Sequence, residues 1–147
     1  MGFFDSIDIA ATGLTAQRLR MDVTAENLAN ADTTRTATGG PYQRQEVILQ
    51  QVGGFGATLA GAMTGIPAHP APGGVQVAGI VSDPTPDKLV YDPSNPDANA
   101  QGYVRMPNVN SVTEMTDLID ESRSYEADVT AMQTAKTMYS KTLDLLK

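Results

Sequence analysis

The sequence predicts an α+β fold that is mainly α, with paired N- and C-terminal helices forming an antiparallel coiled-coil inner domain and a small β-rich, Gly/Pro-rich insert between them in the chain. Three observations carry this expectation. Apolar residues recur every seven positions near the start, at Ile7, Leu14, Met21 and Leu28. Near the end, Met115, Leu118, Ser122, Tyr125, Val129, Met132, Lys136, Tyr139, Leu143 and Leu146 alternate steps of three and four without a slip. All nine prolines lie between these two stretches, and proline breaks a helix interior because it lacks the N–H and clashes with the preceding turn.

The first element is a helix from Asp5 to about Asn30, a span with no proline and one glycine. Its heptad row marks one side of a helix, and Ala11 and Ala25 widen the stripe with small residues that let a partner backbone approach. Asp5 or Ser6 is the expected cap, accepting an orphan backbone N–H, with Asp8 favourable in the first turn. Asn30 is the expected left-handed stop. Residues 1–32 are thus read as one helical segment.

Residues 33–110 read as a β-rich insert, because short β-favouring runs alternate there with Gly and Pro. Strands are predicted at Gln43 to Gln51, Gly74 to Ser82, Lys88 to Tyr91 and Tyr103 to Met106. The Gly- and Ala-rich residues 52–72 are predicted to form a flexible loop.

Residues 111–147 form the second helix. A strict 3.5-residue period held over more than four heptads is a coiled-coil seam, since an ordinary surface helix drifts toward 3.6. Ser111 and Glu114 are predicted to form a capping box that starts it. Either stripe alone fits a helix packed on its own domain. Two stripes at opposite ends, with few large side chains to bury, point to neighbouring chains as the missing partner, and an isolated monomer is expected to fray at its ends. The predicted assembly interface is Ile7, Leu14, Met21, Leu28, Met115, Leu118, Tyr125, Val129, Met132, Tyr139, Leu143 and Leu146.

Composition removes several function classes. A net charge of −7 with scattered basic residues disfavours nucleic acid, which requires clustered Lys and Arg to displace counterions. Cysteine is absent, so disulfides, thiolate metal sites and cysteine nucleophiles are excluded. The N-terminal residues lack the basic region, apolar stretch and cleavage site of a secretory signal peptide. The most apolar run, from Val52 to Ile66, is shorter than the ~20 residues of a membrane span.

The candidate chemistry is thin, and the chain is not expected to be an enzyme or to bind a cofactor or metal. His69, the one histidine, sits among prolines in an extended segment without an orienting partner. The carboxylates and amides of Asp92, Asn95, Asp97 and Asn99 superficially resemble a calcium loop, yet the turn glycine and closing glutamate are missing, and consecutive turns are the simpler reading. The run from Gly53 to Leu59 hints at a dinucleotide loop but has Leu59 in the place of the third glycine and no βαβ unit after it. Glu114, Asp117, Asp120, Glu121, Glu126 and Asp128 lie mainly off the seam, which predicts a solvated or intersubunit polar face.

Two motifs carry a family resemblance. The run from Thr15 to Ala31, ending in Asn27-Leu28-Ala29-Asn30-Ala31, is similar to the signature of the axial proteins of the flagellar rod and hook. Leu89-Val90-Tyr91-Asp92-Pro93, Gly102-Tyr103-Val104 and Met106-Pro107-Asn108-Val109-Asn110 resemble a segment of the flagellar basal-body rod proteins, and within them of the proximal rod. Ser122 to Ala127 and Thr134 to Lys136 continue the match. The resemblance implies a structural subunit exported unfolded by the flagellar type III system and polymerising into a hollow, torque-transmitting rod within the periplasm. It implies terminal helices paired in an inner domain, with the insert outside them. The implied partners are copies of the chain, other rod proteins, an adaptor near the export gate and the surrounding basal-body rings. The alternatives are another axial rod or hook-type protein, a coiled-coil adaptor that does not polymerise, and a small hydrolase built on Asp92, Asp97 and His69.

Overall fold

A computed structural model describes residues 3–37, 39–53, 63 and 72–144. The element order is helix α1 (Phe3–Ala29), strands β1 (Gln45–Gly53), β2 (Pro72–Ser82), β3 (Lys88–Tyr91) and β4 (Tyr103–Met106), and helix α2 (Ser111–Asp144). The architecture is the mainly α one expected, two long terminal helices with small β elements between them. Apart from Val52, Gly53, Met63 and Pro72, the segment 52–72 lies outside the described residues, and with it most of the Gly53 to Leu59 run and His69. Leu146 does so too.

The helix ends differ from expectation in three ways. Helix α1 begins at Phe3, so Asp5 and Ser6 lie inside its first turns and neither is the boundary residue. At its other end no described non-glycine residue has a positive φ, so Asn30 is not a left-handed stop. Its backbone N–H (3.0 Å) and its side-chain amide (2.9 Å) both donate to Glu26 O, closing the last turn locally. Helix α2 is capped by Asn110, whose Oδ1 accepts the Val112 N–H at 3.1 Å while its carbonyl accepts the Glu114 N–H at 3.0 Å. Asn110 occupies the cap position one residue before the predicted Ser111, and the Glu114 carboxylate is engaged elsewhere.

Strands β1 and β2 pair with each other, and β3 and β4 form a second two-stranded, antiparallel sheet. Its register sets Leu89 opposite Arg105, Val90 opposite Val104 and Tyr91 opposite Tyr103. The two tyrosines meet edge to face with ring centroids 5.3 Å apart, the geometry favoured by the aromatic quadrupole. Gly102 is required here: its φ is +81°, and a Cβ would stand 2.9 Å from Tyr91 Cε2. The connection between β3 and β4 consists of the consecutive turns read from its sequence. Asp92 Oδ1 accepts the Ser94 N–H at 3.1 Å, Asn95 Oδ1 accepts the Asp97 N–H at 3.0 Å, and Asn99 Oδ1 accepts the Gln101 and Tyr103 N–H groups at 2.9 Å each.

The chain divides into two compact units, each gathered from distant segments. One contains Met1–Leu19, Ile48–Gly79 and Ser122–Lys147; the other contains Arg20–Val47 and Ile80–Glu121. Among the described residues the first buries only Ala16 and Gly74. The second buries Val23, Tyr42, Val104, Pro107 and Val109 together with four polar residues, Thr24, Asn27, Glu114 and Glu121.

Candidate assembly interface

In the second unit the two helices meet through polar side chains. Asn27, 1% exposed, uses its whole amide. Its Nδ2 donates to Gln45 O at 2.8 Å and to Glu114 Oε2 at 3.2 Å, and its Oδ1 accepts the Gln45 N–H at 2.8 Å and the Tyr42 hydroxyl at 2.9 Å. The side chain thereby pairs both backbone groups of Gln45 as a neighbouring strand would, tying the start of β1 to the end of α1. Such a site requires an amide, because only Asn or Gln offers two N–H donors and a doubly accepting oxygen on one planar group.

Glu114 is as deeply buried as Asn27 and sits between it and Arg44, whose Nε donates to Glu114 Oε1 at 2.6 Å. Arg44 also faces Asp83 and Asp117 at 3.8 Å each. The hydrogen bond to Glu114 pushes the already high Arg44 pKa higher still. Burial raises the Tyr42 phenol, and the charges of Glu26 and Glu114 raise it further, so it stays a hydrogen-bond donor. Asn108 ties the strap formed by residues 42–45 to residues 83–85. Its Oδ1 accepts the Arg44 N–H at 2.8 Å, and its Nδ2 donates to Asp83 O and Thr85 O, each at 3.2 Å.

One turn-pair along, Arg20 Nε lies 3.3 Å from Glu121 Oε1. Within the first unit, a Cβ placed on Gly13 would stand 3.4 Å from Asp128 Oδ2. Within the second unit, from Asn27–Glu114 to Arg20–Glu121, the contact moves seven residues back along α1 and seven forward along α2. The helices therefore run antiparallel in a heptad register. In that register the rows that meet are small or polar, and the apolar rows lie beside them.

Those apolar rows are the predicted interface residues. Ile7, Leu14, Met21 and Leu28 on α1 and Leu118, Tyr125, Val129 and Met132 on α2 are half-buried, whereas Met115, Tyr139 and Leu143 are exposed. The reading of the α2 carboxylates as a solvated or intersubunit face fails at two positions. Glu114 is 1% and Glu121 6% exposed, because each falls one residue before the apolar row and faces α1. Elsewhere α2 presents an open surface lined by Arg123, Glu126, Ala127, Thr130, Ala131, Thr134, Ala135 and Met138.

The motif residues have distinct places. Asn27 and Asn108 belong to the network just described, and Val104 and Pro107 are buried beneath it. Leu28, Ala29 and Asn30 close α1, and Tyr91, Asp92, Pro93, Gly102 and Tyr103 shape the exposed hairpin of β3 and β4. Arg20, Tyr42, Arg44 and Gln45 escaped the apolar pattern. The seven-residue spacing of Gly13, Arg20 and Asn27 against that of Glu114, Glu121 and Asp128 is the signal that would have found the pairing.

Among the described residues no three His, Asp or Glu side chains gather where a metal could bind. Nor is any helix among them long and apolar enough to cross a membrane. The fold and interface define a structural protein whose terminal helices pair by a polar lock.

Comparison with known proteins identifies which. Residues 7–35 match the family described as flagella basal body rod protein, and residues 100–145 match the C-terminal region of the flagellar basal body rod FlgEFG proteins. The flagellar basal-body rod protein FlgC of Bacillus subtilis is 47% identical over the whole of both chains. That of Borreliella burgdorferi is 44% identical over 100% of this chain and 99% of its own, and that of Escherichia coli O6:H1 is 44% identical over 99% and 98%. The chain belongs to the FlgC family of flagellar basal-body rod proteins. It is a structural rod subunit and not an enzyme.

Proposed function

We propose that this chain is a proximal-rod subunit, exported unfolded through the flagellar type III channel and polymerised within the periplasm into a hollow rod that transmits torque. In this reading residues 1–32 and 111–147 form the inner domain and residues 33–110 the outer insert. The observation that carries it is the division of labour between helix rows. The polar rows close the helix pair inside one chain, so Ile7, Leu14, Met21, Leu28, Met115, Leu118, Tyr125, Val129, Met132, Tyr139 and Leu143 remain partly or wholly uncovered. Leu146 continues the same sequence row.

In this reading the apolar row on α1 of one chain meets the α2 surface around Ala127, Thr130, Ala131, Thr134 and Ala135 of the next. A contact between two different surfaces of identical chains yields a helical filament when its rotation does not close. The thin core suits export: few apolar side chains are buried among the described residues, so unfolding for passage through a channel costs little. An adaptor near the export gate would receive the chain, and the surrounding rings would contact its outer insert.

The test is charged substitution on the uncovered rows. Leu14→Asp, Met21→Asp, Val129→Asp and Tyr139→Asp are each expected to abolish rod assembly and motility while leaving expression and secretion intact. Swimming at the wild-type rate in these variants would overturn the interface assignment.

A further inference from the structure

The polar lock between the helices leaves one group unused. Glu121 is 6% exposed, and although its Oε1 lies 3.3 Å from Arg20 Nε, its Oε2 is buried without a hydrogen-bond partner. It lines a cavity of about 70 Å³ between α1, β1 and α2. The ionisable groups around it are Arg20 from α1, Arg44 and Glu46 at the start of β1, and Asp117 of α2, with Glu114 one further turn away. Three carboxylates against two arginines surround it, and Arg44 is already bound to Glu114 at 2.6 Å. A charged Glu121 thus has a single cation of its own, Arg20, which is 41% exposed and so screened by solvent.

We propose that the Glu121 carboxyl is a proton-operated latch of the helix pair, closed when neutral and loosened when charged. Removing an ionised oxygen from water without a partner is costly, and the neutral acid avoids that cost. Burial accordingly pushes the group above the usual glutamate range, with Asp117 and Glu114 adding to the shift and Thr24 and Arg20 opposing it. The sign follows from linkage. A carboxyl whose titration is raised on folding binds its proton more tightly in the closed pair, so closure strengthens as pH falls through the folded value toward the unfolded one and weakens as pH rises. Each unit of the raise changes the closed-to-open ratio about tenfold across that window.

The experiment uses the full chain. Carboxyl-¹³C NMR titration, with the Glu121 signal identified by its loss in Glu121→Gln, is expected to place Glu121 above the chain's exposed glutamates, and Arg20→Gln is expected to move it higher. Hydrogen exchange at residues 114–121, corrected for intrinsic pH dependence, should show protection falling from acid toward neutral pH in the wild type. In Glu121→Gln, a permanently neutral isostere, protection should stay flat and exceed the wild type at neutral pH. A Glu121 that titrates with the exposed glutamates, as it would if water entering the cavity solvated its charge, overturns the proposal. So does a Gln variant whose protection follows the wild-type pH dependence. The NMR titrations of the wild type and Arg20→Gln decide the matter even if the Gln variant fails to fold.

Discussion

The two compact units are built on the same pair of helices and are held in opposite ways. In the unit containing Asn27 and Glu114, nine of the described residues are buried, four of them polar, and two of those four, Asn27 and Glu114, are bonded to residues 42–45. In the unit containing Gly13 and Asp128 only Ala16 and Gly74 of the described residues are buried, and no described residue of α2 beyond Glu121 is buried at all. Apolar contact is tolerant of sliding, whereas a hydrogen-bonded network is satisfied in one register only. The first unit named therefore fixes how the helices pair. The unit containing Gly13 and Asp128 leaves its apolar row on α2 half-buried or exposed.

Breaking the polar lock should have the largest effect. Glu114→Ala leaves Arg44 facing only Asp83 and Asp117 at 3.8 Å and takes one acceptor from Asn27. Removing one partner of a buried ion pair costs about 3–5 kcal/mol; because Arg44 is 25% exposed, the lower end, about 3 kcal/mol, is expected here. Urea denaturation followed by circular dichroism measures it, and hydrogen exchange should localise the loss to residues 20–47 and 80–121. A loss of protection spread evenly over both units would contradict the division of roles.

In the sparsely packed unit the corresponding weak point is a close approach. Gly74 has a φ of +98°, and a Cβ there would stand 2.5 Å from Thr12 Oγ1, the atom that also accepts the Val75 N–H at 3.2 Å. Gly74→Ala combines backbone strain with this clash, at about 1–3 kcal/mol. Adding Thr12→Ala removes the clash but not the strain, so the double variant should recover part of the loss. A double variant no better than the single one would mean that the approach to α1 does not set the position of β2.

These two sites also mark what could be read from the sequence. Both long helices and all four strands were legible, because proline and glycine punctuate the insert and the heptads mark its flanks. Lys88 to Tyr91 and Tyr103 to Met106 are found where alternation put them, and Asp92, Asn95 and Asn99 form the turns expected of them. The inner rows were not legible. Hydrophobic periodicity identifies the face to be buried against something, and here the largest apolar row is only half covered within the chain while its polar neighbour carries the contact. Ser111 as the cap and Asn30 as the stop fail for a related reason: Asn110 caps α2 and Asn30 closes α1. Each side chain bonds a nearby backbone group, and a residue name alone does not say whether it caps, closes or reverses the chain.

The smallest effect expected is at the outer edge of the lock, and its sign opposes that of Glu121. Asp83 is held below the usual aspartate range by hydrogen bonds from the Thr85 hydroxyl and the Thr85 backbone N–H, with Arg44 adding a weaker pull. A carboxyl lowered on folding contributes stability that is present above its unfolded value, ~3.9, and is lost as pH falls through the folded one. Because the group is solvated, Asp83→Asn should shift the urea midpoint only slightly at neutral pH, and the two proteins should converge as pH falls below 4, where the wild-type carboxylate also loses its charge. The Glu121→Gln difference runs the other way, growing toward neutral pH in favour of the variant. Stability curves for the three proteins over one pH series separate a carboxylate that holds the strap by its charge from one that holds the helices by lacking it.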